Sequence, residues 1–172
     1  MSDIPTNKQI LAASEEELKL MAAKVMGWTG LGYYGPPTDG SDWKHDRSVR
    51  YDTPEGAANG YRAYWQAKHA QSPMGYEHPD DFETELCRWS EDGPLFVPDF
   101  PTDIAAAMRL LEKTSYAALI GYKWAEGHPR LEPHSCTIPL PSGEQITAYA
   151  AVVPLAITRA AVLAWAAQER TK

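Results

Sequence analysis

The chain has 172 residues, with 16 Lys+Arg against 23 Asp+Glu and a formal net charge of -7, which argues against a general nucleic-acid binder because phosphate binding needs clustered cations. Charged residues make up 23% and the AVILMFWYC set 44%, enough for a buried core and against wholesale disorder. Cys87 and Cys136 are too few for a disulfide scaffold, no apolar run approaches the roughly 18–20 residues of a membrane span, and Met1 to Pro5 shows no signal-peptide pattern, so a single intracellular domain without membrane contact is expected.

In chain order, the first helix is marked by Ser14 and Glu17 at capping-box spacing, with Leu18, Met21, Ala22 and Val25 at helical intervals and Gly27 as the stop. Propensity also allows a start near Lys8. Residues 29–53 break both periodicities through Gly30, Gly32, Gly35, Pro36 and Pro37, and read as a long loop of the kind that is uncommon unless functional or mobile. Thr53 as cap, Pro54 at the first position and Glu55 near the positive end predict a helix over 54–71, with Tyr61, Tyr64, Trp65 and Lys68 at helical spacing. A shorter helix is predicted over Pro79–Trp89, on the stripe Phe82, Leu86 and Trp89. Residues 93–101 read as an extended connector. Thr102 or Asp103 caps a helix through Lys113 with Ile104, Ala107, Met108 and Leu111 as its apolar face.

Strand signals follow at Tyr116–Glu126, Ser135–Leu140 and Gln145–Ala150, the last two joined by a tight turn at Pro141-Ser142-Gly143. A final helix begins at Pro154 and is apolar over most of its circumference, so it needs more than one packing neighbour. The fold class expected from this order is α+β: an α-β-α sandwich with a small antiparallel sheet between helices, plus a long helical and loop insertion. One domain over 1–172 is expected, with its core at 10–28 and 99–170 and the insertion at 29–98.

Three segments carry a resemblance to a known family: Leu20 to Trp28, Pro101 to Ala107 with Leu110 to Lys113, and Ala148 to Ile157 running into an alanine-rich helix. In this order they resemble the phage ABA-sandwich domain proteins, small bacteriophage and prophage proteins mostly of unassigned function. The resemblance covers residues 14–28 and roughly 99–168; residues 29–98 look like an insertion that short members lack. It implies α–β–α layering, a viral origin, and residence in the cytoplasm of an infected bacterial host. Such phage proteins include accessory factors that oppose host defence, either by sequestering a nucleotide signal or by blocking a defence enzyme.

The insertion holds the residues of greatest functional interest: Tyr33, Tyr34, Trp43, Arg47, Arg50 and Tyr51, with Lys44 and His45 among them. Rings stack on nucleobases, and arginines grip phosphate with paired donors. These six are the expected contacts for a small nucleotide-type ligand; the plainer reading is a loop whose rings cover the core and whose charges are solvated. Tyr61, Tyr64, Trp65 and Lys68 either attach the insertion or form a partner surface. The alternative function is a protein-interaction inhibitor of a host defence enzyme or a structural phage accessory protein, with a host defence protein as the alternative partner, and a homo-oligomer is expected because a site at a subunit interface is enclosed from both sides.

No catalytic residue, metal or cofactor is expected. Asp42, His45 and Asp46 read as loop solvation, since metal sites need three or four converging ligands. His134 and Cys136 share a strand face, with His128 nearby, but no nucleophile signature surrounds Cys136, and a buried thiol is the simpler reading. His78-Pro79-Asp80-Asp81 is explained by helix-start charge. Gly30-x-Gly32-x-x-Gly35 lacks the strand before and helix after that give the nucleotide-binding glycine string its meaning. A signalling-nucleotide hydrolase is therefore the least favoured function.

Overall fold

The computed structural model describes residues 4–39, 41, 43, 48–71, 84–91, 93–114, 117–122 and 132–172. The fold is α+β, and the chain divides into two compact units, Met1–Gly27 with Pro98–Lys172, and Trp28–Val97.

The first unit opens with two capped helices. Thr6 and Gln9 form a capping box on α1 (Asn7–Ala12), and extended Ala13 separates it from α2 (Glu15–Val25). Ser14 caps α2: its Oγ accepts from Glu17 N at 3.2 Å, and the Glu17 carboxylate accepts from Ser14 N at 2.8 Å. Each arm satisfies an otherwise orphaned backbone donor. Gly27, at φ +77, carries the chain out of the helix. The Asp103 carboxylate accepts from Ala105 N at 2.8 Å and starts α4 (Ile104–Thr114).

The face that α4 buries differs from the expected one. Ala106, Ala107, Leu110 and Leu111 are buried, whereas Ile104 and Met108 are 48% and 39% exposed. The helix packs on α2 and on the long C-terminal helix α5 (Val153–Arg170). Adjacent alanines at the contact allow the close approach that bulkier Ile104 and Met108 would prevent.

Strands β5 (Leu119–Tyr122), β6 (His134–Pro139) and β7 (Gln145–Ala150) form an antiparallel sheet in that order. Cys136, Ile138, Ala148 and Ala150 are buried on one face, and β6 and β7 pack on α5. The opposite face carries Thr137 and Thr147, whose hydroxyls lie 2.9 Å apart. Helix α5 also packs on α1, α2 and α4, so it meets both the sheet and the other helices of its unit. That placement explains its nearly all-apolar circumference. Its buried Thr158 hydroxyl donates to the Phe100 carbonyl at 2.9 Å, and Arg159 donates to Glu132 and to the Tyr149 carbonyl, each at 2.8 Å.

Among the described residues, the second unit is a four-stranded antiparallel sheet with one helix. Its strands are β1 (Leu31–Gly35), β2 (Val49–Tyr51), β3 (Glu85–Ser90) and β4 (Gly93–Phe96), in the order β2-β1-β3-β4. Helix α3 (Pro54–Gln71) packs on β1 and β2, and Thr53 Oγ1 accepts from Gly56 N at 3.0 Å at its start.

Three expectations are corrected here. Residues 29–53 contain two strands, because β1 finds ladder partners on both sides, β2 and β3. The predicted helix over Pro79–Trp89 is a strand where it is described: Leu86 and Cys87 are both buried although neighbours in sequence, which a strand covered on two faces requires. The start of that prediction, residues 79–83, lies outside the described residues. Part of the connector is β4, paired with β3 from Ser90↔Gly93 to Cys87↔Phe96. Among the described residues, no helix is long and apolar enough to cross a membrane.

Candidate functional site

Directly opposed residues in an antiparallel pair project to the same face, and successive residues alternate. In the four-stranded sheet, Arg50, Tyr34 and Glu85 therefore form one cross-strand row. Gly32, Cys87 and Phe96 form the next row on the same face. Tyr33 belongs to the other face, with Tyr51 and Leu86 as its direct partners.

The two rows make a defined arrangement. Gly32 and Cys87 are small and buried. Arg50 does not stand over its own row but lies across Gly32: a Cβ there would sit 2.6 Å from Arg50 Cγ and 2.7 Å from its Nε. The missing side chain at Gly32 is what admits the guanidinium stem. The Arg50 side chain is 46% exposed, and its ion pair with the exposed Asp52 carboxylate is long, at 3.8 Å. A pair of that length in water contributes little and leaves the guanidinium able to take another anion.

Two rings flank the same face. Phe96 is 53% exposed, and its ring meets Tyr34 edge-on at 5.7 Å between centroids. Behind Tyr34 stands Trp43, at 5.3 Å. Trp43 also meets Tyr61 at 5.8 Å and Tyr64 at 6.1 Å on α3, and its Nε1 donates to Ser48 Oγ at 3.3 Å. Tyr61, Tyr64 and Trp65 contact one another, and Lys68 Nζ lies 5.9 Å from the Tyr64 ring centroid. The α3 aromatics thus hold Trp43, and Trp43 supports Tyr34.

The expected contact residues are dispersed by this arrangement. Tyr34 and Arg50 come together on one face. Trp43 backs them. Tyr33 is 5% exposed and belongs to the interior of the sheet. Tyr51 is on the face opposite Arg50; its hydroxyl donates to the Pro36 carbonyl at 2.8 Å, and burial raises its pKa. Arg47 lies outside the described residues, as do Lys44 and His45. Phe96 was missed from sequence because its segment reads as a connector; only the pairing Cys87↔Phe96 brings it into the row of Gly32, with Cys87 between them.

The remaining candidates resolve more simply. Gly32 and Gly35 of the glycine string lie within β1. Cys136 is fully buried, and burial pushes its thiol up to about 11, far from nucleophilic use near neutral pH. His134 meets Tyr122 edge-on at 5.2 Å. His128, Asp42, His45, Asp46 and His78 to Asp81 lie outside the described residues. Among the described residues, no group of three or more His, Cys, Asp or Glu is placed to hold a metal.

No protein-family model matches this sequence, and no curated protein matches it. Among solved structures, the chain is similar to a phage protein from Bacillus cereus at 19% identity, over 59% of this chain and 84% of that one, with a TM-score of 0.38.

Proposed function

We propose that the chain is a non-enzymatic binding protein that takes a small, planar, anionic ligand of the nucleotide type on the Tyr34–Arg50–Phe96 face of its four-stranded sheet. The observation that carries this reading is the placement of the Arg50 stem across Gly32, on the same face as the exposed Phe96 and half-buried Tyr34 rings. A guanidinium offers paired donors to a phosphate, and ring faces accept a base at about 1–3 kcal/mol each.

The wider role is that of a phage accessory protein that counters host defence by sequestering a signal in the bacterial cytoplasm. It rests on the sequence resemblance to phage ABA-sandwich proteins. Direct inhibition of a defence enzyme is the alternative, but Tyr61, Tyr64 and Trp65 are engaged with one another, and the first two also with Trp43, which favours a supporting part for them over docking.

The test is incubation of purified protein with cyclic dinucleotides, cyclic mononucleotides and ADP-ribose derivatives, followed by denaturation and mass spectrometry of what is released. Intact ligand in stoichiometric amount is the expected result. A chemically converted ligand would show an enzyme, and release of none of the three classes would overturn the reading.

A further inference from the structure

The face that holds Arg50, Tyr34 and Phe96 also carries a carboxylate. Arg50 pairs with Tyr34, and Tyr34 with Glu85, so the three stand in one row on β2, β1 and β3. Neighbouring strands lie about 4.8 Å apart, so the backbones of Arg50 and Glu85 are about 10 Å apart along this row. Glu85 is exposed, and among the described residues its carboxylate has no hydrogen-bond or ion-pair partner.

The rings lie toward the Glu85 end. Cys87 is opposite Phe96, and Glu85 comes two residues before Cys87, so Glu85 and Phe96 are diagonal neighbours on this face. The Tyr34 and Phe96 rings meet at 5.7 Å between centroids although β3 separates their strands. The Arg50 stem lies instead over Gly32 of β1. The face thus has a direction, from a cation over β1, through two rings, to an anion on β3.

We infer that Glu85 selects the base of the ligand, and that the ligand class is a guanine nucleotide, with phosphate on Arg50, the base against Tyr34 and Phe96, and its Watson–Crick edge turned to Glu85. This rests on the ligand face proposed above. An ionised carboxylate only accepts hydrogen bonds, and it has two oxygens to do so. Guanine presents N1–H and its 2-amino group side by side, two parallel donors that match those oxygens. Hypoxanthine keeps N1–H alone. Adenine sets a lone pair at N1 beside its 6-amino group, and cytosine does the same at N3 beside its 4-amino group, so one carboxylate oxygen would face a lone pair. The same charge fixes the orientation, because phosphate is repelled from the Glu85 end and attracted to Arg50. The length of the row suits the reach of a nucleotide from base edge to phosphate.

Equilibrium dialysis of the full chain against cyclic GMP, cyclic IMP and cyclic AMP, with cyclic di-GMP and cyclic di-AMP as a second pair, tests this. Each guanine ligand is expected to bind at least ~10-fold more tightly than its adenine counterpart, with cyclic IMP between. E85Q keeps the side-chain size and turns one acceptor into a donor, so it is expected to abolish that preference; circular dichroism checks its fold, and the wild-type comparison stands without it. Wild-type protein that holds guanine and adenine ligands alike, or folded E85Q that keeps the guanine preference, would overturn this inference and leave the ligand face in place. Binding of none of these ligands would overturn the ligand face, and the selection of guanine with it.

Discussion

The phenol of Tyr51 occupies the space a side chain at Gly60 would need: a Cβ at Gly60 would lie 2.1 Å from the Tyr51 hydroxyl oxygen. A Cβ at Gly35 would likewise lie 2.7 Å from the ring, so Tyr51 is wedged between a strand and a helix that both give up a side chain for it. Glycine inside a helix costs about 1 kcal/mol against alanine, and the wedge is the reason to bear that cost.

Gly60→Ala is therefore expected to destabilise the protein by about 1–3 kcal/mol, the range for overpacking, despite its gain in helix propensity. In a Tyr51→Ala background the same substitution becomes neutral or stabilising. Urea unfolding of the four proteins of the cycle measures the coupling; additive effects would show that the two residues do not compete for space.

Arg50→Ala and Phe96→Ala are each expected to weaken retention of a nucleotide-type ligand at least ~10-fold, which is about 1.4 kcal/mol. Both residues are exposed, so thermal stability should change little. Gly32→Val should weaken retention as well, by displacing the Arg50 stem. Equilibrium dialysis against the ligand identified by mass spectrometry is the measurement, with circular dichroism as the folding control.

Glu16 sits in the first turn of α2 with one carboxylate oxygen buried and without a hydrogen-bond partner among the described residues. Loss of water raises its pKa, nearby Lys19 partly offsets this, and Asp99 adds to it. A carboxyl whose pKa is raised on folding favours the folded state when protonated, and that contribution is lost as pH rises through the folded value. Glu16→Gln should thus be neutral or stabilising at pH 7, by less than ~1 kcal/mol because water screens the half-exposed group. The difference should shrink at pH values below the ordinary carboxylate range. A variant that is less stable at pH 7 would contradict this.

The Cys136 thiol, raised by burial to about 11 from 9.0, makes the opposite end of the pH range informative. Between those values the unfolded chain releases a proton that the folded chain keeps, so stability falls as pH rises through that window. Cys136→Ala should flatten the decline. In the native protein at neutral pH, both cysteines should resist a thiol reagent and react only on unfolding; a rapidly labelled thiol before unfolding would refute the buried assignment.

Thr158→Val removes the donor to the Phe100 carbonyl and keeps the side-chain volume. The expected cost is about 1–2 kcal/mol, from desolvating a carbonyl without its partner. Thr158→Ser should keep most of that bond, and comparison of the two by thermal unfolding separates the hydrogen bond from packing.

Helix starts were legible wherever one turn of chain holds the whole interaction. Ser14 with Glu17, Thr53 with Gly56, and Asp103 with Ala105 all act within three residues, so spacing alone locates them. The turn at Gly143, where φ is +87, and the strands around it are local in the same sense. The all-round apolar character of α5 foretold several packing neighbours and found them in α1, α2, α4 and the sheet.

What spacing could not supply was the identity of partners distant in sequence. Leu86 and Trp89 have helical spacing, but β1 and β4 on either side hold that segment as a strand. Gly32 and Gly35 read as chain breakers because their use, as room for Arg50 and Tyr51, appears only once β1 and β2 pair. Tyr33 and Tyr34 are neighbours of identical chemistry, yet strand alternation sends one to the interior and the other toward Arg50 and Phe96. The sequence by itself determined caps, turns and an excess of apolar surface, since those depend on neighbours along the chain. Tertiary structure alone decided which side chains share a face, because that depends on which strands pair and in which register.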